Sequence, residues 1–411
     1  MLQVNDAAFV GKGTKFKLFP QPGFLPGFEK PEVVWVSPPA GTVKAGPADD
    51  RMYVVDAIEK IPYPPAAVPP YVGAACPPTT PDKEGHFDYL DVNSRSFGSA
   101  HLYGGVRRVL DIWEGYLGRP IDWHFEEHHP RLELIPYVNW DNAQAGYGFL
   151  ETGSRAPKQG EATPFCLNFD VIAHETGHLI IFSVIGIPID NTLTAEYLAY
   201  HESASDIIAL ISALHFDAVV SRVLDACHGN LFTQNELSRI GELSGSEQIR
   251  LACHGLKLGE GPDPNTPWHQ LCQKDRHRLG EPMTGAVFDM IVEVFQELLV
   301  QDRLISRSLA DRASCALDDP IHLKVVQGEF DHAYHGHELE FCGALKRARD
   351  IVGERLARTW EAISPHNLHF TSVATKFLTV DRHLTGEKYQ NVLRECLLWR
   401  KIGYGLNHNN K

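Results

Sequence analysis

Two histidines four residues apart, in His174-Glu175-Thr176-Gly177-His178, are the groups in this chain best suited to grip a metal ion. Apolar runs flank them, Phe169 to Ala173 before and Leu179 to Ile185 after. The stretch therefore reads as one buried helix that ends near Gly186 and Pro188. Residues four apart on a helix lie one above the other on the same face. Both imidazoles can then reach one ion, with Glu175 beside them as a general base for an attacking water. A second helical pattern, Glu196 to Leu214, carries Glu202 and Asp206, again four apart. Glu202 is the candidate third ligand of a zinc ion, Zn2+, whose fourth position stays open. Asp206 can accept the free N–H of a ligating histidine and so fix its tautomer. The 24 positions from His178 to Glu202 leave room for a helix end, a loop and a helix start. Two plain amphipathic helices with solvated polar sides would be the simpler account. It struggles, because these four ionisable groups sit in apolar or small-residue sequence, where they are costly unless paired or bound to metal.

On these residues the sequence resembles the thermolysin family and the wider gluzincin group of zinc peptidases, which carry His-Glu-x-x-His with a third ligand in a Glu-x-x-Ser-Asp-like segment. The likeness extends upstream. Gly98 to Gly118 is similar to that family's long first helix, and Leu134 to Gly148 to its substrate-binding edge strand. The resemblance implies an α+β fold with a two-lobed zincin core, a mixed sheet plus helices followed by a mainly helical lobe. It also implies that Asn142 and Ala143 bind the substrate backbone. It covers about residues 90 to 300 and departs from the family in two places. Glu281, in Gly280 to Asp289, stands where the family places the histidine that stabilises the oxyanion. Leu193 stands where a tyrosine is usual. His277 or Arg278, from Asp275 to Leu279, or Tyr197 or Tyr200, are the substitutes the sequence offers for that donor, with His277 the candidate catalytic group. The expected activity is endopeptidase-like hydrolysis of peptide bonds. A zinc-bearing relative that binds peptide or protein without cleaving it, and an aminopeptidase that uses Glu281, are the alternatives.

The elements that must position these groups follow from composition and pattern. A chain of 411 residues exceeds one ordinary core, and three units are expected: a Pro-rich, β-containing region over 1–90, an α+β catalytic lobe over 91–190, and a mainly helical lobe over 191–411. Fifteen of the 27 prolines precede residue 82, which excludes long helices there, and strand-like runs occur at Lys15 to Phe19, Glu32 to Val36 and Met52 to Val55. This region reads as a packing arm in preference to a cover over the groove. Tyr103, Val106, Leu110 and Trp113 form a helical stripe, expected to pack on a sheet. Arg131 to Val138 is rich in strand formers and is the expected edge strand, able to add an extended peptide by strand pairing. Glu151 to Thr163 reads as a polar loop, and Thr284 to Leu299, Leu339 to Ile363 and Lys388 to Ile402 as helices. The histidine-rich segment Asp331 to His337 lacks regular ligand spacing and reads as polar surface, as does His128-His129.

A net charge of −14 argues against nucleic-acid or anionic-membrane partners and leaves a peptide or protein substrate as the expected one. No apolar run approaches the length of a membrane span. The amino terminus lacks a basic segment followed by an apolar core, so a cytoplasmic protein is expected, with its eight scattered cysteines mostly reduced.

Overall fold

The computed structural model describes residues 4–155, 163–233, 239–244, 247–313 and 320–403. The fold is α+β, a mixed sheet plus helices. An antiparallel hairpin, β1 (Gly13–Leu18) with β2 (Glu32–Pro39), comes first. It sends Phe16, Leu18, Val34 and Val36 into the main core. β3 (Met52–Val54) then begins a four-stranded sheet with β4 (Leu132–Ile135), β5 (Ala143–Gly146) and β6 (Phe149–Thr152), in the order β3-β4-β6-β5. β4 runs parallel to both of its neighbours, while β5 returns antiparallel to β6 through a tight turn at Gly148, whose φ of 90° suits glycine.

The period-2 alternation of strands divides the two faces of this sheet. Leu132, Leu134 and Leu150 enter the main core. On the other face Glu133 and Glu151 are fully buried, and the Pro-rich segment with the strand before it, residues 53–71, supplies all of their partners but Gln144. Glu133 accepts from the hydroxyls of Tyr53 and Tyr63 and from the Tyr71 backbone, and Glu151 accepts from Lys60 Nζ at 2.5 Å, the Tyr63 backbone and Gln144 Nε2. Buried carboxylates this well paired act as fasteners for the segment, which covers the sheet face and contributes no residue to the cleft described below.

Three differences from the sequence reading have physical causes. Arg131 to Val138 does not supply the edge strand: β4 is paired on both sides and buried along its whole length, and the edge belongs to β5. Ala-Gln-Ala-Gly has little strand propensity of its own, and pairing with β6 imposes the conformation. Glu151 and Thr152, read as the start of a loop, lie in β6, while 156–162 lie outside the described residues. The helix expected from Thr284 instead starts at Gln273, because Pro282 sits inside it without ending it. Burial against neighbouring helices outweighs the lost hydrogen bond.

The helices are α1 (Arg95–Leu117), α2 (Phe169–Val184), α3 (Ala195–Ala213), α4 (Asp217–Cys227), α5 (Gln273–Gln301), α6 (Arg307–Ala313), α7 (Pro320–Tyr334), α8 (Glu338–Ala362), α9 (Phe370–Thr385) and α10 (Gln390–Trp399). Ser94 caps α1 by accepting from Phe97 N, and Gly118 ends it in the left-handed conformation. α1 is buried on nearly all sides rather than on one stripe. Its Arg107 pairs with Asp111 and Glu114, and its Arg108 with Asp6, so charges that would be prohibitive alone are matched. One continuous cluster takes in Phe16, Trp113, Ile208, Phe295 and Ile402, so the boundaries expected at residues 90 and 190 cross a shared core. Among the described residues no single helix is long and apolar enough to cross a membrane. Cys76, Cys166, Cys227, Cys253, Cys272, Cys342 and Cys396 are free thiols, and Cys315 lies outside the described residues.

Two acids on α5 make stability depend on pH. Asp289 accepts from the Arg400 guanidinium at 2.8 and 3.1 Å, and Glu293 lies one turn further on. Burial pushes the Asp289 carboxyl up to about 6. Burial, aided by the charges of Asp289 and Asp311, pushes Glu293 up to about 7 from an ordinary 4.5. The folded chain therefore holds protons that the unfolded chain releases, so this contribution is complete below about pH 4.5 and is lost as pH rises through about 7. Glu293→Gln is expected to match wild type near pH 4.5 and to exceed it by about 1–2 kcal/mol at pH 8, measured by urea denaturation at the two values. A gain of equal size at both pH values would show that packing, not ionisation, is responsible.

Candidate metal centre

α2 starts where Asn168 accepts from Val171 N at 3.2 Å, and its first-turn Asp170 suits the positive helix end. α3 starts where Thr194 accepts from Tyr197 N at 2.9 Å. Two glycines let the site-bearing helices meet at close range. A Cβ on Gly177 would stand 2.8 Å from Ser205 Cα, so α2 and α3 touch backbone to backbone between His174 and His178. A Cβ on Gly280 would stand 2.5 Å from the carbonyl oxygen of Ala199, so α5 meets α3 in the same manner.

These crossings bring four of the expected groups together. Glu202 Oε2 lies 3.6 Å from His174 Nε2 and 3.6 Å from His178 Nε2. A tetrahedral zinc with bonds of about 2.0–2.1 Å keeps its donors roughly 3.4 Å apart, so the spacing suits such an ion. Ligand atoms of His174, Glu175 and His178 also fall within 4.8 Å of one another, and no other such group occurs among the described residues. Two carboxylates, Glu175 and Glu202, thus stand within reach of the same pair of imidazoles. Burial opposes ionisation of Glu202, but the imidazoles of His178, His174 and His277 outweigh it and hold the carboxyl well below its usual range.

Neutral imidazoles with their protons on Nδ1 would present lone pairs to this point, and the groups behind each Nδ1 bear on that. His174 Nδ1 is 2.8 Å from Asp206 Oδ1, an ion-pair distance at which a carboxylate favours a proton on that nitrogen. His178 Nδ1 is 3.0 Å from Ser205 Oγ. The Ser205 hydroxyl donates its one proton to the carbonyl oxygen of His201 at 2.9 Å, so toward His178 it can only accept. His178 thus carries a proton on Nδ1. His201 stands on the same side, its Nδ1 2.8 Å from His178 Nδ1, and burial pushes its pKa down to about 4.

The site lies in a cleft of about 370 Å³. Asn142 and Ala143 form part of one wall, with Gln144 and Ala145 continuing along β5, whose outer edge pairs with no described strand. Glu175, buried, lines the cleft beside the two histidines. His277, on the first turns of α5, also lines the cleft, with Nδ1 3.1 Å from Glu202 Oε2. A larger hollow of about 820 Å³ lies elsewhere, by Arg51, Arg107 and Glu114, where both guanidinium groups pair with the one carboxylate.

The remaining candidates are not brought to this cleft. Tyr197 donates to the carbonyl oxygen of Gly186 at 2.8 Å, and Tyr200 accepts from Trp360 Nε1 at 2.8 Å. Both are buried structural hydroxyls, because these faces of α3 turn toward the α2–α3 loop and toward α8. Arg278 is exposed beside Gly261, a third of a turn away from His277. Glu281 does not line the cleft, since four residues carry it about 6 Å further along α5. Asp170, which lines the cleft and accepts from Gln21 Nε2 at 2.9 Å, was not singled out from sequence, nor were His201 and Ser205. The latter two could have been found from helix phase, since His201, Glu202, Ser205 and Asp206 share one side of α3. Asp331, in the histidine-rich segment, pairs with His228 at 2.7 Å.

No protein-family model matches the chain, and no curated protein matches it in sequence. Among solved structures it is similar to the precursor of protealysin, a metalloproteinase from Serratia proteamaculans, with 13% identity and a TM-score of 0.49, covering 89% of this chain and 90% of that one.

Proposed function

We propose that this chain is a zinc-dependent peptidase that cuts within peptide chains. The observation that supports it most is the convergence of two imidazole nitrogens on one carboxylate oxygen at matched 3.6 Å spacings, inside a cleft walled by a strand edge that pairs with no described strand. His174, His178 and Glu202 would hold the ion. Zinc bound there would polarise a carbonyl and bring the pKa of a water toward neutrality. β5 offers its outer backbone groups to an extended peptide, with Asn142 and Ala143 at the start of that edge. Glu175 takes the proton of the attacking water on its carboxylate and passes it to the departing amide nitrogen. His277 donates toward the oxygen that gains negative charge, the role for which the sequence offered several candidates. Its contact with Glu202 keeps the ring at the rim of the cleft.

The test is metal analysis of the purified chain together with mass-spectrometric mapping of products from a mixed peptide library. One zinc per chain and cuts at internal bonds are expected. A chain without stoichiometric metal, or one releasing single residues from amino termini only, would rule this reading out.

A further inference from the structure

The metal-site histidines are backed by different chemistry. His174 has a carboxylate behind it, Asp206 Oδ1, whereas His178 faces a second imidazole. The planes of His178 and His201 lie within 9° of each other, with ring centroids 4.8 Å apart and Nδ1 atoms only 2.8 Å apart. The nitrogens are thus the nearest points of two almost coplanar rings, the geometry of an edge-to-edge N–H···N hydrogen bond and not of face stacking.

We propose that His201 is a positioning residue of the metal centre: with Ser205 it accepts the Nδ1 proton of His178 and so aims the Nε2 lone pair of His178 at the point shared with His174 and Glu202. The inference rests on the zinc reading above. Two nitrogens 2.8 Å apart need one proton between them, and Ser205 Oγ, facing His178 Nδ1 at 3.0 Å with its own proton given to the His201 carbonyl, requires that proton to sit on His178. His178 therefore donates and His201 Nδ1 accepts, which places the proton of His201 on Nε2. That nitrogen is buried with no hydrogen-bond partner among the described residues, and the ring packs on Phe182 at 4.1 Å between centroids. The packing holds the ring in place, and the backbone holds the partner serine: Ser205 bonds to the carbonyl of His201 one turn earlier on α3. Because Glu202 is the next residue after His201, one stretch of α3 sets both the third ligand and the orientation of the second. An acceptor of this kind behind a ligating imidazole typically governs metal affinity by 10–100-fold.

The experiment measures the zinc Kd by competition with a chromophoric chelator for wild type, His201→Phe and His201→Asn. Long-range proton–nitrogen correlation spectra of the zinc-loaded wild-type chain are recorded alongside. Phenylalanine keeps the bulk against Phe182 and removes the acceptor, so a 10–100-fold weaker Kd is expected. Asparagine restores an acceptor, and its Kd should return to within about threefold of wild type. The spectra should show His178 protonated on Nδ1 and His201 protonated on Nε2 only. These signatures do not depend on a variant folding, so they decide the matter even if His201→Phe misfolds. Zinc binding indifferent to residue 201, or a proton on His201 Nδ1, overturns the assignment while leaving the peptidase reading intact. A wild-type chain that takes up no zinc overturns both.

Discussion

Glu175→Gln is expected to lower peptide hydrolysis by a factor of about 10²–10⁴, the range spanned by loss of a positioned general base. Zinc content should stay at the wild-type level. Glu175 is buried in the cleft wall next to His174, but the matched pair of 3.6 Å separations belongs to Glu202. Glutamine keeps the shape and the hydrogen-bonding reach of the side chain and removes only its capacity to take a proton. The substitution thus separates proton transfer from metal binding. Turnover of a quenched-fluorescent peptide library, with metal analysis of the same samples, reads both quantities. Equal turnover by the two proteins would mean that the residue is no base, and would favour a chain that binds peptide without cutting it.

Gly177→Ala is expected to have the second-largest effect, and it acts through packing. A Cβ there would meet Ser205 Cα at 2.8 Å and Ser205 Cβ at 3.1 Å. The nearest atom is main chain and cannot swing aside, so α3 has to move off α2. Overpacking of this kind costs about 1–3 kcal/mol. The displacement would also separate Glu202 and Asp206 from the histidines they face, since both ride on the helix that moves. Urea denaturation should show the destabilisation, and the zinc Kd should rise by at least about tenfold, the lower end of what a disturbed ligand shell produces. A destabilised variant with unchanged zinc affinity would show that α3 tilts without opening the site. Gly280→Ala offers a parallel case at the α3–α5 crossing, where the clash is with the Ala199 carbonyl.

The histidine pair, Glu202 and Asp206 are legible in the residue order because their information is local. A spacing of four within an apolar run specifies both the helix and the face, and two such helices in one chain already imply a shared centre. The pairing of Asp206 with His174 is likewise open to sequence reasoning, because Asp206 is one turn from Glu202 on the same side of α3. The long first helix is visible for the same reason, as a stripe of apolar residues at helical period ending at a glycine.

Other features were decided only when distant segments packed. His277 and Gln273 enter the cleft because α5 starts eleven residues earlier than its apolar stripe announced, carried through Pro282 by burial that no local propensity records. The edge strand fell on Ala143–Gly146 and not on the better strand former Leu132–Ile135 because position in a sheet is set by which neighbours pair. The same logic removed Tyr197 and Tyr200 from the site, each taken up by a partner beyond the reach of sequence spacing. By itself, the chain's residue order determined which side chains could share an ion and which helices would carry them. Tertiary structure alone decided which side chains of α5 join them in the cleft, because those contacts link segments about 75 to 100 residues apart, where no periodicity survives.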